Sequence, residues 1–274
     1  LTIRGVQLTD EDIGQGYIVG QSGERDACKE LQDLDLLPTR TFRRYGSAEL
    51  VREIKSNKFY RKGNFRLFEG IRLLIKRGIA EHGSEKGQII ARLATKRFRV
   101  NSSINGIRLP DRSDTEAKIL LGIFWSSLAR YYFWLTAGSW MWHNEIHLED
   151  VRRLPVRLPK SNGIANRIID LVDKLMHAAP KENLFRNTTI AESIDELEKK
   201  LDDAVFDLYE LSIAERDQII DMCEYGIDLF YKHSHSNAVK PVADSHLVKR
   251  RGLLSDLPSI RSQQTGLQNY LRAF

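Results

Sequence analysis

The chain has 274 residues, is 42% apolar and 29% charged, and carries a formal net charge of +5. That is the composition of a soluble globular protein of one or two domains with a real core. Cys28 and Cys223 are its only cysteines, which excludes a disulfide framework and a four-cysteine zinc site and fits a reducing cytoplasm. Residues 1–20 have no basic start followed by an apolar core, so no signal peptide is expected. The chain starts at Leu1 and reads as a piece of something longer.

In chain order, the first notable stretch is DIGQGYIVGQSG, with Gly14, Gly16 and Gly20. It does not match G-x-G-x-x-G and no apolar strand leads into it, so it reads as an entry loop. No phosphate-cradling lysine motif occurs anywhere.

From Arg40 to Arg112 there are 19 Lys/Arg against 6 Asp/Glu, a balance of +13; the remainder has 23 against 31, a balance of −8. A cationic concentration of that size is the footprint expected for a phosphate backbone. The candidate contacts are Arg40, Arg43, Arg44, Arg61, Lys62, Lys76, Arg77, Lys96, Arg97, Arg99, Arg108 and Arg112. RTFRRY (40–45) and KFYRK (58–62) interleave aromatics with cations, a pattern that stacks on bases or grips phosphates, though aromatics in β-rich segments more often serve the core. FEGIRLLIKRG (68–78) predicts a strand bounded by glycines. QIIARLATKRFRV (88–100) partly alternates, placing Ile90, Arg92, Ala94 and Lys96 on one face. Asn105-Gly106 inside SINGIRL is a turn signal and predicts a short hairpin.

Ser113-x-x-Glu116 predicts a helix start, followed by a long apolar helix that Gly138 is placed to end. ILLGIFWSSLARYYFWL (119–135) is too short for a comfortable membrane span and holds Ser126, Ser127 and Arg130, so it is read as a buried helix. His143, Glu145 and His147 have helical i, i+4 histidine spacing but are read as structural. Thr189-x-x-Glu192 and Ser212-x-x-Glu215 are two more capping boxes. Between them Ile190, Ile194, Leu197, Leu201, Val205, Leu208 and Leu211 form one apolar stripe. A second helix puts Ile219, Ile220, Cys223, Ile227 and Phe230 on one side, which predicts a helical hairpin. Asp202, Asp203 and Asp207 read as its solvated face. Cys223, His233, His235 and His246 lack paired-ligand spacing, so no metal is expected. The tail from Ser236 carries a basic knot, Lys249-Arg250-Arg251, and an amphipathic stretch from Gln264 to Phe274.

LDDAVFDLYELSIAERDQII resembles the segment ending LYGLT-x-x-E-x-x-x-I that follows target-recognition domains in restriction–modification adenine-N6 DNA methyltransferases. ILLGIFWSSLARYYFWLTAGS resembles that family's LLGILNS-x-x-x-x-YY helix, and IHLEDVRRLPVRLP its I-x-x-EDL-x-x-LPIPLP passage. RLLIKRGI resembles a strand preceding both. The four pieces run in the family's order over residues 66–221. Phe124-Trp125 stands where the family usually has Leu-Asn, and Glu210 where a glycine commonly ends the helix. In such proteins, the resemblance implies, a separate upstream domain or subunit binds S-adenosylmethionine and flips the target adenine, through an Asn/Asp-Pro-Pro-Tyr/Phe motif. This chain has no Pro-Pro pair.

The expectation is therefore an α+β protein: a strand-rich DNA target-recognition lobe at 1–160, a helical spacer or dimerisation region at 161–235, and a tail at 236–274 that begins a further module. Its partners are double-stranded DNA and an upstream methyltransferase domain or subunit, the chain being part of a type II restriction–methylase fusion or a type I-like specificity subunit. No membrane partner, no catalysis and no cofactor of its own are expected. A single-strand or RNA-binding module explains the charge and aromatics but not the ordered helical motifs. A helical interaction scaffold is the other alternative.

Overall fold

The computed structural model describes residues 2–3, 6–7, 11–19, 26–46, 48–52, 58–79, 87–109, 114–138, 143–178 and 193–239. The fold is α+β. The chain divides into two compact units, Leu1–Ile219 and Ile220–Phe274.

The first unit is built on a four-stranded antiparallel sheet. Its strands are β3 (Ile13–Gln15), β6 (Arg72–Lys76), β7 (Ala91–Ala94) and β8 (Ile104–Arg108), in the order β3-β8-β6-β7. Two short pairs complete the strands: β1 (Thr2–Ile3) with β2 (Val6–Gln7), and β4 (Asp26–Ala27) with β5 (Lys58–Phe59). Leu73, Leu74 and Ile75 are all fully buried, because both faces of β6 are covered. Leu74 lies opposite Arg92 and Gly106, so these share one face. That face meets a cluster holding Tyr17, Leu37, Phe42, Phe59, Phe68 and Phe98, most of them drawn from the connecting segments between the sheet strands.

The predicted turn at Asn105-Gly106 is instead the middle of β8, paired on both sides. Long-range packing claims both residues. Asn105 is fully buried and its Nδ2 donates to Ile146 O at 3.1 Å. A Cβ on Gly106 would come within 2.9 Å of the Leu67 side chain. The glycine is there for close approach, not for a turn.

The other sheet face carries α2 (Asp114–Trp125). The single long helix expected from 119 to 135 is broken at Ser126, which is extended (ψ 156°) and caps α3 (Ser127–Thr136). Ser113, expected to cap α2, lies outside the described residues, as do Thr189 and Glu192. Two short helices also belong here, α1 (Lys29–Gln32) and α4 (Leu148–Arg153).

Beyond α2 lie α5 (Asn162–His177) and α6 (Ile194–Tyr209). Ser193 and Glu196 form a reciprocal capping box at the start of α6. The stripe Leu197, Leu201, Val205 and Leu208 is buried as expected. It packs chiefly on α5 rather than on the following helix, α7 (Ile213–Asp221). Gly122 of α2 marks where the helices close in: a Cβ there would sit 2.8 Å from Ile168 and 3.4 Å from Leu201. Residues expected on either side of a boundary near 160 thus form one compact unit that runs to Ile219.

Glu210 ends α6 in the left-handed conformation (φ 57°, ψ 38°), the position where glycine is usual. The helix end keeps the left-handed form although a charged residue stands where the family commonly has glycine. The Glu210 carboxylate accepts from Arg157. Ser212 and Glu215 then cap α7 reciprocally.

In the second unit a π-helical turn, Met222–Ile227, leads into α8 (Asp228–Lys232). Cys223 and Ile227 are buried, whereas Phe230 is 37% exposed. Asp228 is buried and accepts from Ser236 Oγ at 2.6 Å and from Lys232.

Candidate nucleic-acid interface

The structure sorts the candidate cations by what their charge is doing. Arg40, Arg43, Arg61, Lys96 and Arg97 are exposed. Lys62, Lys76, Arg77 and Arg108 are half-buried, and Arg112 lies outside the described residues. Arg77 is held by Glu145 at 2.7 Å. Arg97 is 3.6 Å from Glu69, with both side chains about two-thirds exposed, so that pair restrains little.

Arg44 and Arg99 are corrected: each is only 3% exposed. The Arg44 guanidinium donates to Tyr45 Oη at 2.8 Å, to Ile89 O at 2.9 Å and to Trp125 O. It also lies 3.3 Å from a Glu198 carboxylate oxygen. Arg99 lies over the Tyr17 ring, 5.2 Å from its centroid, and its backbone bonds to Asp35 and Leu37. Neither is placed to reach a phosphate. Arg72 and Arg92 are structural too. Arg72 is fully buried, stacks 4.4 Å from the Phe98 ring centroid and donates to Gly70 O and Lys96 O. Burial pushes its guanidinium down to about 10. Arg92 donates to the carbonyls of Arg43, Tyr45 and Gly46. Arg44, Arg72 and Arg92 thus direct their charge to carbonyls inside the fold.

Arg44 belongs to a buried polar network that the sequence did not reveal. Tyr45 donates to Glu198 of α6 and packs edge-on against Trp125 at 4.9 Å. Trp125 Nε1 donates to Ala91 O at 3.0 Å. Asp202, expected on a solvated face, instead accepts from Ser127 N and Ser127 Oγ, both at 2.6 Å. It sits at the start of α3, where a carboxylate complements the free N–H groups. Asp207 is also tied down, by Arg167 at 2.7 Å and Arg216 at 2.8 Å. Only Asp203 of the three is exposed as expected.

Burial pushes the Asp202 carboxyl up from 3.8 to about 6, against the Ser127 hydrogen bonds, with Glu198 adding and Arg44 opposing. A carboxyl whose folded value is raised binds its proton more tightly when folded. Its contribution is most favourable below the unfolded value and is lost as pH rises through about 6. In Asp202→Asn the amide oxygen accepts from Ser127 N and the amide nitrogen donates to Ser127 Oγ, and the titration is removed. Between pH 4 and 7 the wild type should lose stability relative to this variant, by on the order of 1–3 kcal/mol. Urea midpoints of both proteins across that range check it; parallel curves would contradict it.

Beside this network a cleft of about 450 Å³ opens between β7 and the segment around Leu50. Leu37, Leu74, Ala94 and Phe98 line it, with Arg92 and Lys96 on its wall. Among the described residues, its lining includes no Asp, Glu, His or Cys.

The loop from Tyr60 to Arg66 is the part of the surface that sequence reasoning undervalued. Tyr60 is 63% exposed and Phe65 36% exposed, beside exposed Arg61 and Arg66. The available signal was alternation: Phe59 is buried at 1%, which turns Tyr60 outward.

The predicted histidine pair is not on one helix. Asn144 between them has φ 51°, and His147 precedes α4, its backbone N–H bonding to Asp150 at 2.9 Å. Among the described residues no group of three or more His, Cys, Asp or Glu side chains is placed to hold a metal ion. Also among them, no helix is long and apolar enough to cross a membrane. The chain matches no protein-family model and no curated protein sequence.

Proposed function

We propose that this chain is the DNA-reading part of a restriction–modification adenine-N6 methyltransferase or endonuclease, acting in the cytoplasm on double-stranded DNA. Methyl transfer belongs to a separate upstream domain or subunit that binds S-adenosylmethionine. The observation that carries the reading is the lobe of net +13 between Arg40 and Arg112, which keeps Arg40, Arg43, Arg61, Lys96 and Arg97 at the surface even after its structural arginines are set aside. The ordered resemblance over residues 66–221 supports the narrower assignment. A compact layer of α2, α5 and α6 behind the sheet suits a rigid mount for that lobe.

Exposed Tyr60 and Phe65 favour a second reading, a single-strand binder whose rings stack on unpaired bases. Competition decides between them. Mixed-sequence duplex should displace a labelled duplex at lower concentration than single-stranded DNA or RNA of the same length. Preference for the single strand would overturn the duplex reading in favour of the second.

A further inference from the structure

Tyr60 has the most exposed ring of any Phe, Trp or Tyr among the described residues, at 63%. A lone exposed ring on a pliable surface needs no explanation. Tyr60 is not on a pliable surface. Its N–H donates to Ile18 O at 2.9 Å, and Ile18 N donates to Arg61 O at 2.8 Å. One residue earlier, the Phe59 ring is locked edge-on against Tyr17 at 5.2 Å. Three residues later, Gly63 (φ 76°) presses on the backbone of Gly16, where a Cβ would come within 2.6 Å. Gly16 in turn presses on Val100, where a Cβ would lie 2.0 Å from the carbonyl oxygen. Asn64 N donates to Gln15 O at 3.1 Å, and Asn64 Nδ2 to Glu11 O at 2.6 Å. Three backbone segments thus converge to hold one short loop.

The same loop orients a cation. Arg61 donates to Gln15 Oε1 at 2.9 Å, and Gln15 Nε2 donates to the buried Asn105 at 3.3 Å. A guanidinium has five donors in a planar fork, so one fixed edge leaves others for a phosphate. An outward ring on a fixed backbone, next to an oriented cation, matches a base step and its phosphate. A backbone that is held before binding loses little freedom when the ring inserts.

We propose that Tyr60 enters a base step of the bound duplex as an aromatic wedge while Arg61 grips the neighbouring phosphate. This rests on the duplex-DNA reading. Partial unstacking makes the contact depend on which step opens easily, so Tyr60 sets sequence preference rather than overall affinity.

The test uses the purified chain and the duplex it enriches from a randomised pool, with 2-aminopurine placed at successive steps. Wild type should raise the fluorescence at one step and prefer the enriched duplex over a scrambled one. Tyr60→Ala should abolish the rise and cut that preference tenfold or more, with an unchanged salt slope. Tyr60→Phe should retain both. An unchanged urea midpoint shows that each variant is folded. A Tyr60→Ala protein that keeps the fluorescence rise and the preference overturns the wedge and leaves duplex reading intact. A wild type that binds no duplex, or enriches none, overturns both.

Discussion

Arg44→Met should be the most damaging single substitution of a charged residue in this protein. The side chain nearly matches in length but has no donors. Ile89 O and Trp125 O lose their partner, and Glu198 loses the nearest cation. Breaking a buried charge pair by removing one member costs about 3–5 kcal/mol. A domain of this size has roughly 5–15 kcal/mol in total, so much of the margin goes. Arg44→Lys should recover only part, since one ammonium cannot span two carbonyls and a phenol at fixed angles. Denaturant unfolding of the three proteins measures the order. DNA affinity of folded Arg44→Lys should equal that of wild type. A stable Arg44→Met protein with weakened DNA binding would return Arg44 to the interface.

Leu201→Asp should be as severe, for a different reason. Leu201 is fully buried in the stripe of α6 and faces Gly122 of α2. Leu201→Ala leaves a cavity that α2 and α5 cannot both close, at a cost of about 2–5 kcal/mol. Leu201→Asp adds a carboxylate with no partner in an apolar junction, and should exceed the alanine variant. Asp203→Ala, two positions on and exposed, should change stability by about 0.5 kcal/mol or less. The three urea midpoints should therefore fall in the order Asp203→Ala, Leu201→Ala, Leu201→Asp. A Leu201→Asp protein as stable as wild type would mean the stripe is not the core of the mount.

What the sequence revealed follows from where local pattern and burial agree. RLLIK is a strand in both because an apolar run bounded by Gly70 and Gly78 has few other uses. The stripe of α6 was legible because leucines and valine at steps of three and four have one helical face. The helix Asn162–His177 lies in the region expected to be helical but was not singled out, although Ile164, Ile168, Leu171, Val172 and Leu175 carry the same spacing. The turn at Asn105-Gly106 failed because a glycine needed for close packing reads like a glycine needed for a turn. Charge was the least legible feature. Arg43 and Arg44 are neighbours, and nothing local distinguishes the exposed one from the one that ties Trp125 and Glu198 together. Asp202 and Asp203 are likewise adjacent, yet only one points at the start of α3. Such assignments depend on partners 75 or 81 positions away.

Duplex binding by the exposed cations is tested most directly by the salt dependence of a fourfold variant, Arg40→Ala, Arg61→Ala, Lys96→Ala and Arg97→Ala together. All four side chains lie at the surface, so the variant should unfold at nearly the wild-type urea concentration. Each phosphate contact contributes roughly 0.9 to the slope of log affinity against log salt. Wild type should bind mixed-sequence duplex with a steep negative slope, and the variant should bind more weakly with a slope shallower by about 3.6. A folded variant with wild-type affinity and slope would contradict the placement of DNA on this lobe.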